Sequence, residues 1–168
     1  MNAAIHEMHR EMIGLLPRLR RFAYGLSGSL DEADDLVQST FERALSHIDQ
    51  WQAGTRLDSW MYRILHSIRI NRLHADNLRT KKLDDSDPDE QIGGDNAREM
   101  EAKLTLEAVR QFIWKLPEEQ RTILLLVVVE GVSYKDVSDM LCIPIGTVTS
   151  RLARARLAIK DFVEMVPS

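Results

Sequence analysis

Apolar residues recur at helical spacing through the first eighty residues, and turn-forming residues separate four such segments. Pro17 suits the first turn of the second segment, because proline lacks an amide hydrogen that this turn would leave unpaired. The acidic residues from Asp31 onward favour the amino end of the third segment, and Asp58 is a candidate cap for the fourth. The pattern predicts helices at about residues 3–15, 17–27, 31–49 and 58–77.

The third predicted helix has an apolar stripe beside a polar edge, because side chains three or four positions apart share a face. The stripe consists of Val37, Phe41, Ala44 and Ile48. The exposed edge consists of Asp35, Gln38 and Glu42.

The fourth predicted helix presents two different faces. Trp60, Ile64 and Ile68 share one register, which favours core packing for Trp60 over exposure. A second face carries Arg63, His66, Ser67, Ile70 and His74. Trp51 adjoins the preceding loop, residues 50–57, and its pattern leaves both packing and exposure open.

The last seventy residues also have a helical pattern, and no strand pattern competes with it. An amphipathic helix is predicted at about residues 98–115, and Pro117 begins another. Its run from Ile123 to Val129 is apolar on every side, so we expect that run to be buried.

Two short helical patterns then follow, joined by a tight turn. Ser133 is the predicted cap of the first, with Asp136 reaching back to the cap amide. Pro144 and Gly146 interrupt the chain, and the second helix begins near Thr147. Its buried stripe is Val148, Leu152, Ala155 and Ile159, and its outer and flanking positions are Thr149, Ser150, Arg151, Arg154, Arg156 and Lys160. This arrangement predicts a helix-turn-helix whose second helix fits the major groove, and the alternative is a solvated basic face.

The net charge of −4 arises from one segment between the helical regions. Residues 1–79 hold ten basic and ten acidic side chains, and residues 100–168 hold nine of each. Residues 80–99 hold three basic and seven acidic side chains. Thr80 to Asn96 carries few apolar residues, which predicts a flexible acidic linker. We therefore expect an all-α protein of two small helical domains, residues 1–79 and 98–168, joined by a linker at 80–97.

The composition indicates a cytoplasmic protein without metal, cofactor or catalytic residues. No signal peptide or membrane-inserted segment is apparent. The one cysteine, Cys142, excludes an internal disulfide. His6 and His9 have helical spacing but no evident third ligand, and no phosphate-binding glycine loop or activated nucleophile occurs.

Two separate motifs resemble the extracytoplasmic-function group of bacterial RNA polymerase sigma factors. Residues 34–41, Asp-Asp-Leu-Val-Gln-Ser-Thr-Phe, resemble region 2.2 of that family, and residues 59–64 with 71–73 resemble regions 2.3 and 2.4. Residues 116–121, Leu-Pro-Glu-Glu-Gln-Arg, are similar to the start of region 4, and residues 146–156 are similar to its end. The resemblance covers nearly the whole chain.

The resemblance implies roles for three groups of residues and three partners: core RNA polymerase, promoter DNA and an anti-sigma factor. Asp35, Gln38 and Glu42 would contact the beta-prime clamp helices of the polymerase, and the beta flap would be a second polymerase contact. Single-stranded −10 DNA would meet Arg56, Arg63, His66, Ser67 and Asn71. The −35 element would meet Thr147, Thr149, Ser150, Arg151, Arg154 and Arg156.

Other function classes stay open at this point. A stand-alone helix-turn-helix regulator would share the basic helix, but would be expected to dimerise on paired half-sites. A sigma-like decoy that binds only an anti-sigma factor would not need an intact basic helix. An enzyme has no support in the motifs.

Overall fold

The structure is a computed structural model. It describes the backbone of residues 2–80 and 97–166, and side chains from 3–80 and 105–166. Regular structure in these ranges is helical throughout, and none of the helices described is long and apolar enough to cross a membrane. The helices are α1 (Asn2–Gly14), α2 (Leu16–Ser27), α3 (Leu30–Ser46), α4 (Leu57–Thr80), α5 (Ala97–Lys115), α6 (Glu118–Leu124), α7 (Tyr134–Leu141) and α8 (Ile145–Met165).

Helices α1–α4, here called the N-terminal bundle, follow the predicted boundaries with two corrections. Helix α3 ends at Ser46 and a separate 3-10 turn covers Ile48–Gln50, so the predicted continuation to Asp49 was wrong. Helix α4 begins at Leu57, so Asp58 lies inside the first turn and is not the cap. Its carboxylate instead accepts hydrogen bonds from the Ser59 amide at 2.7 Å and from Arg56 Nη2 at 2.8 Å.

The buried stripes of α3 and α4 are wider than predicted and coincide only in part with the predicted positions, since Val37, Ala44 and Ile68 are buried as predicted. In α3 the core includes Leu36 and Thr40, whereas the predicted Phe41 is half-buried. Thr40 is accommodated because its hydroxyl donates to the Leu36 carbonyl at 2.7 Å. In α4 the predicted Trp60 and Ile64 are half-buried, and the buried residues are Leu57, Met61, Tyr62, Leu65, Ile68 and Arg69. The displacement arises because both helices contact more than one neighbour.

Helices α5–α8 form the C-terminal bundle, which contains the predicted helix-turn-helix. Ser133 caps α7, and its hydroxyl accepts from the Asp136 amide at 3.1 Å. Cys142 ends α7 in a left-handed conformation with φ 54°, which turns the chain toward α8. Helix α8 begins at Ile145, so Gly146 lies within it and does not interrupt the chain as predicted. Val148, Leu152 and Ala155 are buried as the pattern requires, and Ile159 is half-buried.

The apolar run after α6 is only partly buried. Residues 123–126 are in the core, but Val128 and Val129 are 54% and 45% exposed, which corrects the prediction of a wholly buried run. Leu125–Val129 forms a wide π turn, closed by the Glu130 amide donating to the Leu125 carbonyl at 3.0 Å. The turn ends the helix, and the buried side chain after it is Glu130.

The two bundles pack against each other around one continuous core. Gly25 of α2 allows this close approach, because a Cβ there would lie 2.9 Å from the Leu125 side chain. Gly28, with φ 72°, ends α2 directly against Trp114, and the Trp114 ring meets Tyr24 edge-on at 5.5 Å. The linker was predicted at residues 80–97, and its end residues Thr80 and Ala97 belong to α4 and α5. Residues 81–96 lie outside the described residues.

Candidate nucleic-acid interface

The outer face of α8 carries polar and basic side chains opposite its buried stripe. Ser150 and Arg154 are exposed, as are Thr149 and Arg156 on the flanks, whereas Thr147 in the first turn is half-buried. Because the hydroxyls of Thr149 and Ser150 donate to carbonyls of the preceding turn, at 3.1 and 3.2 Å, both side chains lie close to the helix.

The three arginines of α8 differ in how freely they can reach a ligand. Arg151 is half-buried and pairs with Glu119 of α6 at 3.3 Å. Among the described residues, Arg154 and Arg156 have no ion-pair partner. Their charges are therefore available to a nucleic-acid backbone or base edge without an internal contact having to break.

A cleft of about 720 Å³ contains three of the five residues predicted for the −10 element. Arg56, Arg63 and Ser67 line it together with the rings of Trp51 and Trp60. Cations beside flat aromatic faces are suited to a strand whose bases are unstacked. Trp51 and Trp60 are both partly buried against the core. Both also line the cleft, so each combines packing with partial exposure.

The other two predicted residues of this group lie elsewhere. Asn71 lines a neighbouring groove between α3 and α4 with Ser39 and Arg72. His66 is half-buried, and burial lowers its pKa while the nearby Glu118 carboxylate opposes that effect. His66 therefore lies where the two bundles meet, and the structure does not bring it to the cleft.

The opposite wall of the cleft is acidic and belongs to α7. Asp136, Asp139 and Met140 line the cavity across from the arginines. Asp136 Oδ2 accepts a hydrogen bond from Arg56 Nη1 at 3.1 Å, and Arg56 also pairs with Asp58. Arg56 is therefore engaged within the chain.

The predicted polymerase-docking edge borders an apolar groove that the sequence pattern did not reveal. Gln38 donates to Glu42 at 3.1 Å, and both line a groove of about 520 Å³. Its apolar wall consists of Ile13, Leu16, Val37, Phe41 and Leu45. Asp35 lies on the side facing α4, where it pairs with Arg72 at 3.0 Å.

Sequence reasoning missed a polar network between the two bundles, centred on Glu130. The Glu130 side chain has no exposed surface and accepts hydrogen bonds from Arg21 Nε and Nη2 at 2.9 and 2.8 Å. The Tyr62 hydroxyl donates to it at 2.8 Å, and burial followed by this hydrogen bond raises the pKa of Tyr62. The sequence did contain a signal for this network, because Glu130 is an acidic residue directly after a long apolar run.

A second polar junction joins α4 to α6. Arg69 is 7% exposed, pairs with Glu118 at 3.3 Å and with Glu32, and donates to the Leu26 carbonyl at 3.2 Å. Arg121 also donates to the Leu26 carbonyl, at 2.7 Å. In the described residues no group of three His, Cys, Asp or Glu side chains could hold a metal ion.

Comparison with known families matches both bundles. The family described as the Sigma2 domain of PhyR matches residues 13–66, and Sigma-70, region 4, matches residues 106–159. Residues 146–156, which contain most of the exposed basic face of α8, lie within the second match.

Comparison with whole proteins gives the same family over most of the chain. The ECF RNA polymerase sigma factor EcfG of Rhodopseudomonas palustris is 37% identical over 153 residues, 87% of this chain and 79% of that protein. SigW of Bacillus subtilis is 27% identical over 158 residues, 85% of this chain and 81% of that protein.

A solved structure has the same arrangement of helices across both bundles. It is the sigma factor RpoE bound to the anti-sigma factor NepR, from Bartonella quintana. It aligns with a TM-score of 0.80 and 26% identity, covering 96% of this chain and 99% of that chain. With two helical bundles that match sigma regions 2 and 4 and a 37% identical relative, this chain belongs to the extracytoplasmic-function family of RNA polymerase sigma factors.

Proposed function

We propose that this sigma factor reads the −35 element with the outer face of α8. The observation that supports this most strongly is the position of Ser150 and Arg154 opposite the buried stripe. Arg156 also has no ion-pair partner in the part of the chain that the structure describes. A helix presented in this way can enter the major groove, where an arginine can bond to two acceptors on a guanine. Arg151 would exchange its contact with Glu119 for one with DNA.

The −10 element would be bound as a single strand in the cleft beside Trp51 and Trp60. Stacking of an unpaired base on an aromatic ring contributes about 1–3 kcal/mol, which helps to offset strand opening. Arg63 and Arg56 would hold the backbone, and Ser67 would hydrogen-bond a base edge. Asn71 lies outside the cleft, exposed in the neighbouring groove between α3 and α4. His66 lies between the bundles and would contribute only after they move apart.

The polymerase would be bound at the groove beside Gln38 and Glu42. An apolar floor with a polar rim is the usual composition of a protein interface, and the clamp helices of beta-prime would supply the matching apolar and basic side chains. Asp35 would join this contact if Arg72 released it. The C-terminal bundle would meet the beta flap.

Regulation by an anti-sigma factor is part of this proposal. The related RpoE is bound by the anti-sigma factor NepR, and this chain has the same fold across both bundles. We expect the protein to work in the cytoplasm, where polymerase and chromosome are found, and to have no catalytic activity of its own.

A double variant tests the −35 assignment. Arg151→Ala with Arg154→Ala removes two candidate base contacts, each of which contributes about 1–3 kcal/mol. We expect the yield of transcripts from a −35-dependent promoter to fall about thirtyfold or more. Binding of core polymerase, measured by fluorescence anisotropy of labelled sigma factor, should be unchanged.

The matched control is Arg110→Ala with Lys115→Ala, which removes two exposed cations from α5. It should leave transcription near wild type. If the α8 variant remained folded but lost polymerase binding, or if the control lost as much transcription, the assignment of α8 to promoter reading would be wrong.

A further inference from the structure

The contacts between the two bundles have a consistent charge arrangement. The N-terminal bundle supplies arginines and the C-terminal bundle supplies carboxylates. The interbundle ion pairs of the described residues are Arg21–Glu130 at 2.8 Å, Arg18–Glu130 at 3.7 Å, Arg56–Asp136 at 3.1 Å and Arg69–Glu118 at 3.3 Å. This charge complementarity favours one relative orientation of the bundles, because each acid pairs with particular arginines of the other bundle.

Glu130 has the strongest set of contacts in this interface. Its side chain is completely buried and has three donors, two from Arg21 and one from Tyr62, all from the N-terminal bundle. A buried carboxylate is costly without its partners. Separation of the bundles would leave Arg21 and Tyr62 without this acceptor, so the network opposes opening.

The orientation fixed by Glu130 places α7 along one wall of the −10 cleft. Helix α7 begins four residues after Glu130, and its Asp136 and Asp139 form the acidic wall opposite Arg56 and Arg63. A DNA strand brings phosphates, which would compete with Asp136 for Arg56 and be repelled by both carboxylates. In this arrangement a strand entering the cleft would have to lie beside the two carboxylates of α7.

The distance between promoter elements leads to the same conclusion. Elements near −35 and −10 are about 25 base pairs apart, which is roughly 85 Å of duplex at 3.4 Å per base pair. A compact protein of this length has a radius of gyration near 15 Å, and so a diameter of about 40 Å. The packed bundles are too small to reach both elements together.

We propose that Glu130 is an interbundle latch, which holds the chain in a closed state whose α7 masks the −10 cleft until the bundles separate. The masking part rests on the proposed role of that cleft, whereas the latch itself does not. Arg56, Arg63 and Ser67 are already exposed to solvent in the closed state, and opening would remove the acidic side chains of α7 from beside them.

The test measures bundle separation and strand binding on the full chain. Spin labels at Asp49→Cys and Asp161→Cys, both exposed positions in different bundles, would be introduced with Cys142→Ser, and their separation measured by electron–electron double resonance. Glu130→Gln keeps the shape but removes the charge, and we expect the ratio of open to closed molecules to rise about tenfold or more. Arg21→Gln, at a half-exposed side chain, should shift the same distribution without disturbing the core.

The control is Glu164→Gln, which removes an exposed acid that pairs with Lys160 within α8. It should leave the distance distribution unchanged. Circular dichroism would establish that each variant is folded.

Binding of a fluorescent single-stranded oligonucleotide containing −10-like sequence separates the two parts of the proposal. Longer distances in Glu130→Gln and Arg21→Gln, with several-fold tighter oligonucleotide binding, support latch and masking together. Longer distances with unchanged binding would overturn the masking and count against the proposed −10 cleft. Unchanged distances in both folded variants would overturn the latch.

Discussion

Single residues decide which charges are free and which are engaged within the protein. On α8, Arg154 is exposed, whereas Arg151 is held by Glu119 at 3.3 Å. The outward direction of both could be predicted from helical spacing alone. The ion pair of Arg151 with Glu119 could not be predicted in this way, because Glu119 lies 32 positions earlier and contacts Arg151 only when α6 and α8 pack together. The same holds for Glu130 and Arg21, which are 109 residues apart.

Thr149 is a residue where an added charge should strengthen DNA binding. It is exposed on the flank of the proposed −35 face. Thr149→Lys should tighten binding to −35 duplex at low salt and steepen the slope of log K against log salt by about 0.9, the value for one added phosphate contact. Anisotropy titrations at several salt concentrations measure this.

Met165→Lys is the matched control, since it adds the same charge at an 81% exposed position at the far end of α8. It should leave the slope near wild type. Equal slopes for Thr149→Lys and Met165→Lys would place the DNA on another face.

At the level of helices, the Ser133 cap and the buried face of α8 were predicted correctly, whereas the Asp58 cap, the Gly146 interruption and parts of the buried faces of α3 and α4 were not. The Ser133 cap was correct because it depends on residues three positions apart. The stripes of α3 and α4 were displaced in part, because these helices have several neighbours and local periodicity does not reveal how many neighbours a helix has. Phe41 and Trp60 therefore remain half-buried at the edges of grooves, where a partner can reach them.

The turn between α7 and α8 offers a test at this scale. Cys142 has φ 54°, a conformation that costs most residues about 1–2 kcal/mol but costs glycine little. Cys142→Gly should raise the free energy of unfolding by about 1 kcal/mol. Urea denaturation followed by circular dichroism measures it.

Cys142→Ala is the comparison, because it removes the thiol and keeps the side-chain strain. If both variants changed stability equally, the left-handed conformation would not be the cause.

For the whole molecule, the order and type of the helices follow from the sequence, and the relation between the two bundles does not. The apolar faces of α2 and α6 predict burial, but Gly25 against Leu125 and Tyr24 against Trp114 become evident only in three dimensions. The expectation of two helical bundles is confirmed, and they are in contact. The linker boundaries stay a prediction.

The most direct test of the account is run-off transcription by purified core RNA polymerase on a library of −35 and −10 sequences, with and without this protein. We expect specific transcripts only when the protein is present, with base preferences in both elements. In a parallel reaction, Arg151→Ala with Arg154→Ala should flatten the −35 preference and leave the −10 preference intact. No transcripts from folded protein and active polymerase, or a −35 preference that survives this double change, would contradict the account.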